Sequence, residues 1–433
     1  MNKYLQEIIK TSKPLVDKEG IGPLVASLKD KKIVMIGEAS HGTKEFYEWR
    51  QRISQELIMN HGFNFIAVEG DWPPCQRVNK FVSGEEGGNS YKVLSSFNRW
   101  PTWMWSNHEI HWFVDWLKNW NKPLREPVGF HGLDVYSFYE SVDQVIQMLK
   151  KIDPKLALEA EEKYSCLQSY RPNEIAYAKS LFKAPEGCRD EILSVLKSTL
   201  KARLKSGTDE DEWFDVQQNA SVAKNAENYY RAMVFGEEDT WNIRDNHMMD
   251  TLEKLLEYYG AGAKAIVWEH NTHIGDYRAT DMVTQGQVNI GGLAREIYGS
   301  ENVGLVGFGT YSGTVTASFA WDGPATVFDI PEARPGSVEH ACHSVIANVT
   351  SSDFYLLFDP LNHATVLNQV KGHRAIGVVY DPDIEHRGNY VPTALASRYD
   401  AFIFLDHTNA ITPLDVPYEK HKFPETYPHG SRL

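Results

Sequence analysis

Two short segments carry side chains able to move protons or hold metals. Gly37-Glu38-Ala39-Ser40-His41-Gly42 follows the apolar run 33–36, and Glu269-His270-Asn271-Thr272-His273 follows the run 265–268. Both runs read as buried strands, and side chains at the carboxyl ends of strands in an α/β sheet converge on one crevice. Two more runs end in acid, one at Glu69-Gly70-Asp71-Trp72 and one at Gly132-Leu133-Asp134. A single acid after a strand is ordinarily a turn former or helix cap. Four strand ends of this kind point to a shared polar crevice.

General-base activation of water is the simplest chemistry such a crevice offers. A neutral imidazole takes a proton near pH 7, and a hydrogen-bonded carboxylate fixes its tautomer and stabilises the imidazolium. His41 is the base in this reading, with Glu38 and Glu69 as its acidic supports. His270 and His273 polarise the electrophile's oxygen or protonate the leaving group. Asp134, Glu269 and Trp72 are expected to line the crevice. Ser40 is read as a turn hydroxyl rather than a nucleophile, because adjacent residues rarely aim their side chains at each other. A divalent ion such as zinc or manganese held by Glu38, His41, Glu69, His270 and His273 is the alternative, since imidazole and carboxylate suit both metals. The H-x-x-H spacing recurs at His108/His111 and His340/His343, on expected helices, so it is not specific. No G-x-S-x-G elbow, Walker A loop or H-E-x-x-H motif is present.

These groups need a rigid frame. Apolar runs at 33–36, 63–68, 127–130, 265–268, 303–308, 354–358, 375–380 and 401–405 are continuous rather than alternating, which predicts strands buried on both faces. Helical patterns between several of them predict an α/β fold with a mixed, mainly parallel central sheet flanked by helices. Residues 313–328 read as a hairpin, which would make one end of the sheet antiparallel. After the first cluster, Thr43 can cap a helix on which Phe46, Arg50, Ile53 and Leu57 share one face. Arg50 therefore falls among core positions and should meet a carboxylate, Glu38 or Glu69. From 141 to 259 the strand signal gives way to helical periodicity, an insertion between strands with turns at 184–187 and 206–209. Residues 84–90 form a polar loop, and the tail 418–433 reads as extended.

Composition narrows the function classes. A chain of 433 residues with 42% hydrophobic content can bury a sizeable core without staples. Cys75, Cys166, Cys188 and Cys342 are scattered and read as reduced thiols. The net charge of −14, without a basic run, argues against a nucleic-acid partner. Charge interrupts the first ten residues, and no apolar stretch reaches membrane-spanning length, so a cytoplasmic protein with no membrane partner is expected. Twelve tryptophans read chiefly as packing groups.

The combined pattern resembles the erythromycin esterase family. The resemblance rests on Gly37-Glu38-x-x-His41-Gly42, Arg50, Glu69, Gly132-Leu133-Asp134, the segment 241–248 with Arg244-Asp245, and Glu269-His270-Asn271-x-His273. It implies a single α/β domain over 1–433, with the 141–259 helical subdomain inserted between its strands and a deep cleft. It further implies hydrolysis of a carboxylic ester or lactone in a small-molecule substrate by His-activated water, with no required metal. Arg50 would organise the site or meet an oxyanion. Arg244 and Asp245, sharing a helix face with Trp241, would form a buried ion pair closing the cleft as substrate-binding groups. Macrolide resistance and succinoglycan biosynthesis are both associated with such chains. Similar superfamilies include metal-dependent proteases and haem-binding proteins, which leaves a divalent-metal hydrolase and a haem- or ligand-binding protein as alternatives.

Overall fold

The computed structural model describes residues 2–16, 20–206, 210–236, 239–358 and 365–416. The expected extended tail and most of the expected turn at 206–209 lie outside the described residues.

The main sheet is built around β2 (Ile33–Ile36), β3 (Phe65–Asp71), β4 (Gly129–Asp134), β5 (Ala265–Trp268), β6 (Val303–Ala317) and β11 (Ala401–Thr408). Across the sheet they run β11-β6-β2-β5-β3-β4, and every neighbouring pair is parallel. Beyond β11 the sheet turns antiparallel through β8 (Phe354–Leu357) and β1 (Ser12–Pro14). β7 (Thr326–Ile330) folds back on the far half of β6, completing the hairpin expected from residues 313–328. A separate ribbon pairs β9 (Lys371–Arg374) with β10 (Tyr390–Thr393).

Every residue of β2, β3, β4 and β5 is buried, as their unbroken apolar runs require of strands covered on both faces. Successive side chains still alternate between two cores. Val34, Ile36, Ile66, Val68, Ile266 and Trp268 meet the helices Lys44–His61 and His108–Asn121. Ile33, Met35, Phe65, Ala67, Ala265 and Val267 meet the helix Thr240–Tyr258. Each fully buried aliphatic or Phe side chain contributes roughly 1.5–3 kcal/mol of transfer free energy. The strand ends that carry the acids are anchored accordingly.

Between β4 and β5 the described residues are helical, from Phe138–Ile152 to Thr240–Tyr258. They enclose an apolar cluster of their own that includes Val142, Leu149, Tyr177, Val216 and Tyr230. Here the cysteine expectation is corrected. Cys166 and Cys188 form a disulfide within these helices, while Cys75 and Cys342 are free and buried. The two partners are 22 residues apart and meet only because the helices fold back on one another, which no spacing rule reveals. The expected strand at 375–380 is a second correction. Ile376 donates its N–H to the Ala39 carbonyl at 2.8 Å, and the Val378 carbonyl accepts from Ser318. This apolar run crosses over loops as isolated bridges instead of joining the sheet.

Candidate active site

The first half of the site is a loop held at both ends. After β2 the chain turns through Gly37 to Gly42 into the helix Lys44–His61. A Cβ on Gly42 would sit 1.8 Å from the Thr316 carbonyl oxygen, so only glycine lets the loop pass β6 this closely. Thr43 occupies the N-cap position, but its hydroxyl pairs with Ser40 rather than capping the helix. Within the loop Glu38 Oε1 lies 2.8 Å from His41 Nδ1. Glu38 Oε2 accepts from Arg50 Nη1 at 2.7 Å. Arg50 also donates to the Gly37 carbonyl at 2.9 Å and to the Glu269 carbonyl at 2.6 Å, which straps the ends of β2 and β5 together. Of the two carboxylates considered for Arg50, Glu38 is the partner. All of these guanidinium contacts are internal and the residue is buried, so Arg50 organises the loop and is not free to meet an oxyanion.

The second half is organised by Arg244 from the helix Thr240–Tyr258. Its guanidinium makes two bonds to Asp134, at 2.9 and 2.6 Å, and one to Glu69 Oε1 at 2.8 Å. The expected Arg244–Asp245 pair is thus replaced. Arg244 reaches across to β3 and β4, whereas Asp245 binds His273 Nδ1 at 2.9 Å. His273 Nε2 lies 3.1 Å from Arg244 Nη1, and the Trp241 indole stacks on the His273 ring at 4.3 Å. Both His273 nitrogens are therefore engaged. Burial acts to raise the Glu69 carboxyl, but His273, Arg244, His41 and the His270 N–H together hold it well below the usual carboxylate range.

Glu269 and His270 lie between these halves. Val68 and Ile36 both stand level with Trp268, so the residues after them converge at one height. Glu269 is 1% exposed, and neither of its carboxyl oxygens has a hydrogen-bond partner. Burial first, and then Glu69 and Asp245, push its carboxyl well above the usual range. His270 donates its backbone N–H to Glu69 Oε2 at 2.8 Å. Its Nδ1 accepts from the Thr272 N–H at 3.3 Å and lies 2.8 Å from the Thr272 hydroxyl. Burial, followed by the neighbouring His41, pushes the His270 imidazole well below its ordinary value, so it is neutral near pH 7. With Nδ1 accepting, the proton sits on Nε2, which is buried and unpartnered. The His41 and His270 ring centroids are 4.9 Å apart.

Glu38, His41, Arg50, Glu69, Asp134, Arg244, Asp245, Glu269, His270 and His273 thus gather at the ends of β2, β3, β4 and β5. Trp72 does not join them through its ring. Its indole stacks on His131 and donates to Asp215 of the helical insertion, which commits it to packing. Asp134, expected to bind substrate, is fully buried with both oxygens on Arg244. The five-residue metal set fits poorly. Glu38 and Glu69 already face guanidinium groups, and His273 uses both nitrogens. Among the described residues no group of three or more His, Cys, Asp or Glu side chains is disposed to hold a metal ion.

Three further contributors stand around these groups. The Tyr47 hydroxyl lies within reach of the His41 and Met104 carbonyls, at 2.8 and 2.9 Å. The Asn271 backbone donates to the Glu38 carbonyl at 2.8 Å, joining the two clusters directly. Behind Asn271 stands His373, paired with Glu339 at 2.5 Å.

The erythromycin esterase family model matches residues 58–408 of the sequence. The chain belongs to the erythromycin esterase family. Glu38, His41 and Arg50 lie just upstream of the matched span. One relative is the erythromycin esterase type II of Escherichia coli, 21% identical over 383 residues, covering 81% of this chain and 86% of that protein. Another is the putative hydrolase YbfO of Bacillus subtilis strain 168, 22% identical over 406 residues, covering 89% and 85%. Among solved structures, a Bacillus cereus protein superposes with a TM-score of 0.79 at 19% identity, covering 96% of this chain and 99% of that one. A succinoglycan biosynthesis protein gives 0.76 at 20% identity, covering 94% and 97%. A histidine-to-asparagine mutant of the erythromycin esterase EreC, in its open conformation, gives 0.67 at 16% identity, covering 94% and 98%. The family is one of hydrolases, and the shared fold is the mixed α/β sheet with its many helices. Among the described residues no helix is long and apolar enough to cross a membrane.

Proposed function

We propose that this chain hydrolyses a carboxylic ester or lactone in a small molecule, with His41 as the general base. The observation that carries the reading is the Arg50–Glu38–His41 relay, with contacts of 2.7 and 2.8 Å. Glu38 holds the proton of a neutral His41 on Nδ1 and leaves Nε2 to take a proton from water. The hydroxide adds to the acyl carbon, and charge builds on the former carbonyl oxygen. His270 is suited to that oxygen, because a neutral imidazole with its proton on Nε2 is an uncharged donor that needs no reorganisation. As the tetrahedral intermediate collapses, the acyl–oxygen bond breaks and the protonated His41 returns its proton to the leaving alcohol. Water activation is assigned to His41 alone, so the scheme requires no metal.

Arg244, Asp134, Asp245 and His273 are positioning groups in this reading. They lock Glu69, and Glu69 in turn fixes the His270 backbone. The name of the Escherichia coli relative, an erythromycin esterase, supports an ester as the substrate class. Turnover of a panel of macrolactones, acyl sugars and aryl esters by wild type and His41→Ala tests the reading. Ester turnover that is lost in a folded His41→Ala variant is the expected result.

A further inference from the structure

A cavity of about 400 Å³ lies where the helix Trp72–Ser83 meets the helical insertion, and none of the residues gathered in the crevice lines it. Its volume falls within the roughly 300–1,000 Å³ of small-ligand sites. On one wall a single guanidinium, that of Arg99, faces three carboxylates: Asp71 at 3.1 Å, Glu140 at 2.8 Å and Glu174 at 3.3 Å. On the other wall Asp215 has Lys80 as its cation, at 3.6 Å. The Arg77–Glu86 pair also lines the cavity and Glu174 reaches Arg99 from behind the lining, so five carboxylates face three cations.

Two of the neutral lining groups have the same bias. Asn219 lines the cavity and is 2% exposed; its amide nitrogen donates to the Asp215 carbonyl, while its Oδ1 has no partner. Gln76 repeats the arrangement, donating to the Asp215 carboxylate at 2.6 Å with its Oε1 unpartnered. Buried acceptors without donors are uncommon in folded proteins. An anion would meet the acid excess and an apolar ligand would leave the acceptors bare. A ligand rich in N–H and O–H donors and carrying positive charge would satisfy both features.

We propose that this cavity is a binding site for a small protonated amine bearing hydroxyl groups. Burial pushes the Asp215 carboxyl up to about 6 and raises Asp71 as well, and a bound ammonium group would oppose both shifts.

Calorimetric titration of the whole chain at pH 7.5 with glucamine, and with sorbitol as its neutral counterpart, tests this. Saturable glucamine binding at least tenfold tighter than sorbitol is expected, weakened at least tenfold by Asp215→Asn. Glu140→Gln, on the more exposed rim, should weaken it several-fold and decides the matter if the Asp215 variant does not fold. No saturable glucamine binding, equal binding of the two polyols, or binding undiminished in a folded variant would overturn the proposal.

Discussion

The Trp241 indole lies flat on the His273 imidazole, with ring centroids 4.3 Å apart and planes 6° from parallel. A residue of the helical insertion thereby clamps a residue at the end of a sheet strand. Trp241→Ala should lose the stacking term of about 0.5–1.5 kcal/mol along with packing area, whereas Trp241→Phe should keep most of it. Urea unfolding of the two variants checks this. Equal stability of Ala and Phe at position 241 would show that the stack contributes nothing.

Arg50 neutralises a carboxylate that is almost wholly buried. Removing its charge in Arg50→Met would leave Glu38 uncompensated and should destabilise the fold by about 3–5 kcal/mol. The double variant Arg50→Met, Glu38→Gln should recover part of that loss, because neither member of the pair then carries a charge. Denaturation midpoints of wild type, both single variants and the double variant give the coupling directly. A double variant no more stable than Arg50→Met would contradict the pairing.

Much of this arrangement is legible in the sequence because it is local. Glu38, Glu69, Asp134 and Glu269 each follow an apolar run, and the strand period alone places them at carboxyl ends. Arg50 on a core face is likewise readable from helical spacing. The pairings are another matter. Arg244 is 110 residues from Asp134 and 175 from Glu69, and they meet only because the insertion docks its last helix across the strand ends. Asp245, its neighbour in sequence, points to a different partner, His273. The run 375–380 has the composition of a strand, yet its backbone bonds go to the Ala39 carbonyl and to Ser318, loop positions that no periodicity identifies. The Cys166–Cys188 disulfide likewise depends on how separate helices fold back.

Glu269 should make stability depend on pH in a distinctive direction. Its folded carboxyl is raised above the unfolded value of about 4.3, by burial and then by Glu69 and Asp245. The folded state therefore binds the proton more tightly than the unfolded state. The resulting stabilisation is complete below about pH 4.3 and is lost as pH rises through the folded value. Glu269→Gln removes this loss, so its stability relative to wild type should grow between pH 5 and 8, by up to about 1.4 kcal/mol per pH unit. Urea titrations at pH 5 and pH 8 measure the difference. A gap that stays constant or shrinks would contradict a neutral Glu269.

His270 is placed as the donor to the developing oxyanion. His270→Ala should lower kcat on the order of 10²–10³-fold, with a much smaller change in KM, the pattern of an interaction made mainly in the transition state. Steady-state kinetics on the best ester of the panel separate the two constants. A rise in KM with kcat unchanged would make His270 a ground-state binding group instead.

Chelation should leave turnover within about twofold, since the Glu38 and Glu69 carboxylates face Arg50 and Arg244 and imidazole alone can serve as the base. Activity is measured before and after dialysis against EDTA. Loss that is restored by zinc or manganese would reverse the assignment of water activation.

The most direct test of the account is the pH profile of kcat/KM for ester hydrolysis in wild type beside a folded His41→Ala variant. Wild type is expected to show an ascending limb set by a single imidazole, and the variant a loss of at least about 10²-fold. Ester turnover at the wild-type rate in His41→Ala, with the same limb, would contradict it.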